Sequence, residues 1–240
     1  MSLTAKLLLS PVLVAQAVAT RARLPRLPEA AGERAGQTGR GPLLRLLILG
    51  DSSAAGVGVT DQTRALAGVL PRALARHARV CVRWRLVARS GVTSAQCLDL
   101  LQAHAPVDAD VAVIVSGVND VVDQVPSHRA IAAREALANR LRNGHGVAHV
   151  VFAPLPPVHR FPALPQPLRW VAGRDARRHD DALAAWAATR SDVSHVPIDL
   201  PLNRGVMAAD GFHPGEPVYR VCGMVLAEHI ARQVWPMLRR

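Results

Sequence analysis

Leu43-Leu44-Arg45-Leu46-Leu47-Ile48-Leu49 is an apolar run with one interruption, and Gly50-Asp51-Ser52 follows it at once. So short an apolar run, closed by a glycine, reads as a strand buried on both faces, and such strands belong to parallel sheets covered by helices. Ser52 then leaves the carboxyl end of a buried strand, the edge where open α/β sheets bind their ligands. The remainder of the chain keeps the same rhythm. Strand-like runs at 80–88, 111–116, 147–153 and 193–198 alternate with helical patterns at 61–77, 93–104, 127–143, 173–189 and 217–238. This order predicts an α/β three-layer sandwich in which a five-stranded parallel sheet lies between helices.

A chain of 240 residues with 50% hydrophobic content suffices for one domain with a full core. That domain is expected over 43–240. Before it, residues 24–42 contain Pro25, Pro28, Gly32, Gly36, Gly39 and Gly41, and read as a linker or wrapping segment with little regular structure. The apolar stretch 7–19 completes an N-terminal unit, 1–42. Ala17-Val18-Ala19 looks like a small-residue cleavage site, whereas Arg21, Arg23 and Arg26 just behind it favour retention on the cytoplasmic side. Thirteen residues are too few to cross a bilayer, which takes ~20. The expectation is an uncleaved helix that packs on the domain or lies at the inner-membrane surface of the cytoplasm; export to the periplasm is the alternative.

One stretch departs from the alternation. Pro154 to Trp170 carries six prolines among Phe161, Leu164, Leu168 and Trp170, too many for a helix or a central strand. It reads as an ordered loop after the fourth strand, either an apolar wall of the substrate pocket or a surface cover.

The net charge of +11 comes almost wholly from arginine, scattered along the chain with 3% aromatic residues. Nucleic-acid binding needs basic residues gathered on one face with rings to stack on bases, so no nucleic-acid partner is expected. Attraction to anionic lipid or substrate is compatible with the charge. Cys81, Cys97 and Cys222 stand in no paired spacing, which predicts neither a disulfide framework nor a metal site. The histidines other than His213 show no ligand spacing, and most are expected at the surface or at helix ends. Arg174, Arg177, Arg178 and His179 among Asp175, Asp180 and Asp181 read as a solvated helix face.

Four stretches carry chemistry: Gly50-Asp51-Ser52, Ser90-Gly91, Gly117-Val118-Asn119-Asp120 and Asp210-Gly211-Phe212-His213. A serine hydroxyl attacks an acyl carbon poorly until a base takes its proton, and an imidazole held by a carboxylate is the usual base. Ser52, His213 and Asp210 are the candidates. The tetrahedral intermediate also needs donors for its oxyanion, and the N–H groups of Ser52 and Gly91 with the Asn119 amide are available. Asp51 and Asp120 are expected to brace their turns through bonds to backbone N–H. Each stretch alone is an ordinary turn. Together, three follow predicted strands and one precedes the last helix, so all reach one edge of one sheet.

These stretches, with Gly56 after the first and Pro214 after the last, resemble the four blocks of the SGNH, or GDSL, hydrolases, over 44 to about 238. The resemblance implies a flavodoxin-like sheet, Ser52, Asp210 and His213 as triad, and Ser52, Gly91 and Asn119 as oxyanion hole. It implies no metal and no organic cofactor, and a small-molecule or lipid ester as substrate. The implied activity is cleavage of carboxylic esters through an acyl-serine; acyl transfer, carbohydrate O-deacetylation or a non-catalytic interaction module are the alternatives. One departure lies in the second block, where many members have an asparagine shortly before the glycine and this chain has Val87-Ala88-Arg89-Ser90. No Gly-x-Ser-x-Gly elbow is present, and Gly56-Val57-Gly58 falls short of a dinucleotide fingerprint.

Overall fold

The computed structural model describes residues 3–104, 108–200 and 202–239, with side chains from residue 9 onward. Its elements are α1 (Leu3–Arg23), β1 (Ala35–Thr38), β2 (Leu43–Gly50), α2 (Leu66–Ala78), β3 (Cys81–Ala88), α3 (Ser94–Gln102), β4 (Val111–Val115), α4 (Val118–Val122), α5 (Ser127–His145), β5 (His149–Phe152), α6 (Leu168–Ala187), β6 (Val193–His195), α7 (Glu216–His229) and α8 (Trp235–Leu238). A single π-helical turn, Ile230–Val234, joins the last two.

The sheet order is β1-β3-β2-β4-β5-β6, and β2 to β6 run parallel. Among the parallel strands this is the flavodoxin-like order, in which the chain reverses its direction of winding between β2 and β4. Alternate side chains of β2 feed two cores. Leu47 and Leu49 pack with residues of α3, α5 and α6, while Leu44, Leu46 and Ile48 pack with α2 and α7. Burial on both faces is what the run of leucines demanded.

The sheet has six strands where the sequence pattern predicts five. The extra one, β1, lies within the stretch expected to carry little regular structure, and pairs antiparallel with β3 at the sheet edge. Ala35-Gly36-Gln37-Thr38 has no apolar run to announce it, because an edge strand is held by its backbone ladder. Its one packing demand falls on Gly36, where a Cβ would lie 3.0 Å from the Trp84 ring. The segment before β1 is also bound to the domain: Ala30 N–H donates to Ala55 at 3.2 Å, and the Gln62 amide reaches the carbonyls of Ala30 and Ala55 at 3.2 and 2.9 Å.

Helix α1 covers the expected 7–19 and lies against α6. Gln16 donates to the Gln166 carbonyl at 2.7 Å and accepts from Leu168 N–H at 3.0 Å, and Leu13 is buried. Val12, Val14 and Val18 face outward, more than 45% exposed. Among the described residues no helix is long and apolar enough to cross a membrane. The proline-rich stretch after β5 is a loop with one 3-10 turn, Val158–Arg160, and α6 begins within its tail. Leu155, Val158, Phe161 and Leu164 are buried in the core, so the loop is anchored by its apolar side chains while the rest of it lies at or near the surface.

Two readings of surface residues change. His145 stands at the end of α5, but His149 and His179 are buried, because the strand and helix face that carry them point inward. On α6, Arg174, Arg177, Arg178 and Asp181 are solvated, but Asp180 accepts from Leu155 N–H at 2.8 Å and meets His195 Nε2 at 2.9 Å. The three cysteines are free thiols, and burial pushes those of Cys97 and Cys222 up to about 12.

Candidate active site

β2 ends at Gly50 because β4 passes too close for any side chain. A Cβ at Gly50 would lie 2.0 Å from the Val115 carbonyl oxygen, which instead accepts from Asp51 N–H at 3.0 Å. The chain then coils into a turn. Ala55 N–H reaches Asp51 O at 2.9 Å, Val57 N–H reaches Ser52 O at 3.0 Å, and the Asp51 carboxylate accepts from Ser53 N–H at 2.9 Å. Tyr219 on α7 locks the turn from behind by donating its hydroxyl to Val57 O at 2.7 Å. Ser52 is thus carried on a braced turn at the switch point.

The last block comes to it from the other end of the chain. His213 Nε2 lies 3.1 Å from Ser52 Oγ, and His213 Nδ1 lies 2.6 Å from Asp210 Oδ2. The other Asp210 oxygen accepts from the N–H groups of Phe212 and His213, each at 2.9 Å. Burial works to raise the Asp210 pKa, but the His213 ring and these N–H groups outweigh it and hold the carboxyl below its ordinary range. The proline-rich loop braces the same block: Ala163 N–H donates to Gly211 O at 3.1 Å, and Phe161 meets Phe212 edge to face at 5.2 Å.

Asn119 opens α4 just beyond β4. Gly117 adopts φ 137, and a Cβ there would lie 2.6 Å from Arg134 Nη2, so both backbone shape and space require glycine. The Asn119 amide donates to Val92 O at 2.9 Å, next to Gly91. An amide nitrogen has two hydrogens, so one stays available. Gly91 sits at φ 84 with no atom within 4 Å of where a Cβ would stand. Among the described residues no acceptor pairs with the N–H of Ser52 or of Gly91. The predicted site residues are therefore linked as two sets, Ser52 with His213 and Asp210, and Asn119 with the turn that holds Gly91.

Asp51 braces its turn as expected. Asp120 braces a different turn from its own: it accepts from Ser94 N–H at 3.1 Å and from the Ser94 hydroxyl at 2.5 Å, tying the third block to the first turn of α3. Arg134, with no exposed side-chain surface, stands behind it with Nη2 at 3.4 Å from Asp120 Oδ2. Burial pulls the Arg134 pKa below the ordinary arginine value. Arg134, Ser94 and Tyr219 were not singled out from sequence. One arginine among many on an alanine-rich helix gives no signal, and only the fold brings it under Gly117.

A flavodoxin-like sheet bearing a hydroxyl, an imidazole and a carboxylate in line at its switch point defines a class of α/β protein. Residues 48–221 match the GDSL-like lipase/acylhydrolase family, and the chain belongs to it. It is 29% identical over 238 residues to the GDSL-like esterase Rv1075c of Mycobacterium tuberculosis, covering 90% of this chain and 74% of that protein. Among solved structures it resembles a lipolytic G-D-S-L family protein from Veillonella parvula, with TM-score 0.61 and 14% identity over 79% of this chain and 99% of that one. The psychrotrophic esterase EstA from Pseudoalteromonas sp., in a form inhibited by monoethylphosphonate, gives TM-score 0.54 and 18% identity over 80% and 98%. Family membership makes this chain a hydrolase acting on esters.

Proposed function

We propose that the chain is a serine esterase that works through an acyl-enzyme on Ser52. The observation that carries this reading is the continuous hydrogen-bonded chain from Ser52 Oγ through His213 to Asp210. Asp210, kept ionised, accepts from Nδ1–H and so leaves Nε2 as the acceptor facing the hydroxyl. As Ser52 Oγ attacks the acyl carbon, Nε2 takes its proton and the carbonyl oxygen becomes an oxyanion among the N–H groups of Ser52 and Gly91 and the Asn119 amide. Collapse breaks the ester bond, and His213 gives its proton to the departing alcohol. Water then repeats the attack on the acyl-serine, with His213 again as base, and the carboxylic acid leaves. Every group in this cycle comes from the chain itself.

A fluorophosphonate probe tests the reading, since it captures an activated serine. It should add to Ser52 alone by peptide mass mapping. Ser52→Ala should lose both labelling and turnover of p-nitrophenyl esters while keeping its melting temperature. Turnover by folded Ser52→Ala, or labelling at another serine, would defeat the assignment. The acetate-to-palmitate ester series assigns the acyl length.

The outward face of α1 belongs to the same reading. Val12, Val14 and Val18 are uncovered, and Arg21, Arg23 and Arg26 stand exposed behind them. An apolar helix face followed by arginines suits an anionic membrane surface, where the valines enter the acyl boundary and the arginines meet headgroups. In this reading α1 attaches the enzyme to the cytoplasmic face without crossing the bilayer.

A further inference from the structure

The turn that carries the proposed oxyanion glycine is held from outside by a residue of the N-terminal segment. Ser90 and Gly91 are both exposed where the chain passes from β3 toward α3, and among the described residues none but the chain neighbours comes within 4 Å of where a Gly91 Cβ would stand. Packing fixes the far side of the turn, where Val92 is buried and its carbonyl accepts from the Asn119 amide, but not the exposed Ser90 side. Glu29 holds that side with hydrogen bonds: one carboxylate oxygen accepts from Ser90 N–H at 2.7 Å and from the Ser90 hydroxyl at 2.8 Å. The other oxygen pairs with Arg34. Arg34 is itself anchored to β3, since its Nη1 donates to Ala88 O at 2.8 Å and its carbonyl accepts from Leu86 N–H at 2.7 Å. Burial works against ionisation of Glu29, but the Ser90 bonds and Arg34 outweigh it, so the carboxyl stays charged below its ordinary pKa. Bonds to an ionised acceptor are shorter and stronger than neutral ones. On the side toward Ser52, the neighbouring Arg89 N–H donates to Gly50 O at 3.2 Å. The turn is thus held on its Ser90 side by the nucleophile strand and Glu29, and on its Val92 side by Asn119 and the core.

We propose that Glu29 is a positioning residue for ester hydrolysis: its carboxylate holds Ser90 so that the Gly91 N–H stands where the oxyanion develops. This rests on the assignment of Ser52 and Gly91 above. A donor displaced by about 1 Å forfeits a large part of its effect on the transition state, on the order of 10²-fold at most, while substrate binding is little changed. Glu29→Gln keeps an oxygen able to accept both Ser90 bonds and loses the charge together with the oxygen that pairs with Arg34. Glu29→Ala loses both bonds.

The test measures kcat and KM for a soluble p-nitrophenyl ester, per active site titrated with a fluorophosphonate, beside wild type, with Ser52→Ala assayed per mole of protein. Glu29→Ala should lower kcat about 10- to 100-fold with KM within about threefold, and Glu29→Gln should recover kcat to within about threefold of wild type. Should Glu29→Ala not fold, Glu29→Asp, which keeps the charge but is one methylene too short, should show the same fall in kcat. Wild-type kcat per titrated site in a folded Glu29→Ala or Glu29→Asp, a change confined to KM, or Glu29→Gln as impaired as Glu29→Ala would overturn the proposal. Those outcomes differ from failure of the underlying site reading, in which Ser52→Ala itself would retain turnover.

Discussion

At the scale of single residues, two polar side chains of the site have consequences that can be measured. Asn119 gives one amide hydrogen to Val92 O, which leaves the other for an oxyanion. Asn119→Ala is expected to lower kcat by about 10² to 10³ with little change in KM, because such a donor acts mainly in the transition state. Steady-state kinetics decide this, and a rise in KM at unchanged kcat would make Asn119 a substrate-binding residue instead. Asp51 bears on stability. Burial lifts its carboxyl to about 7, against the bond from Ser53 N–H and the attraction of His213. Between about pH 4 and 7 the folded chain therefore holds a proton that the unfolded chain has released, so this residue costs stability increasingly as pH rises through that window and no further above it. Asn at this position is neutral at every pH, and its side-chain oxygen can still accept from Ser53. The melting temperature of Asp51→Asn relative to wild type should climb from pH 4 to 7 and level off above; a difference independent of pH would contradict the raised pKa.

At the scale of elements, what was legible in the sequence was whatever the core imposed. β2 from Leu46 onward and β4 are buried on both faces, so their composition there had to be apolar, and the turns behind them carry the glycines that close approach demands. The four site blocks were legible from their places: three follow strands, of which β2 and β4 are buried on both faces and β3 at its carboxyl end, and one precedes the last helix. β1 was not, since its order comes from a backbone ladder to β3 and its side chains alternate between exposed and half-buried. The start of α6 was displaced because prolines at 165 and 167 read as loop, whereas a proline at the very start of a helix sacrifices no hydrogen bond. The proline-rich stretch was expected to matter at the pocket or as a cover; Phe161 against Phe212 shows it bracing the Asp210–His213 block. Contacts such as Glu29 with Ser90, 61 residues apart, or Asp120 with Arg134, leave no periodicity and appear only once the sheet brings them together.

At the scale of the whole molecule, net charge and α1 act together. A protein of net charge +11 is drawn toward anionic surfaces from any orientation, and α1 offers the only stretch of this chain proposed here to enter one. Each arginine near an anionic surface contributes about 1 kcal/mol, so Arg21, Arg23 and Arg26 supply about 3 kcal/mol, roughly a hundredfold in affinity, beyond what the valines add. Because that attraction is electrostatic, raising salt from about 0.01 M to about 0.15 M, which shortens the Debye length from roughly 30 Å to about 8 Å, should weaken it sharply. The intact chain is expected to sediment with anionic phospholipid vesicles at the lower salt, to be released at the higher, and to bind zwitterionic vesicles weakly. A chain lacking residues 1–26 keeps Glu29, Arg34 and β1, so its turnover of a water-soluble ester should match that of the intact chain while its vesicle binding falls at least tenfold. Equal binding by the shortened chain would move the lipid-facing surface from α1 to the arginines of the domain, and no binding by the intact chain at low salt would remove the membrane from the account of α1 altogether.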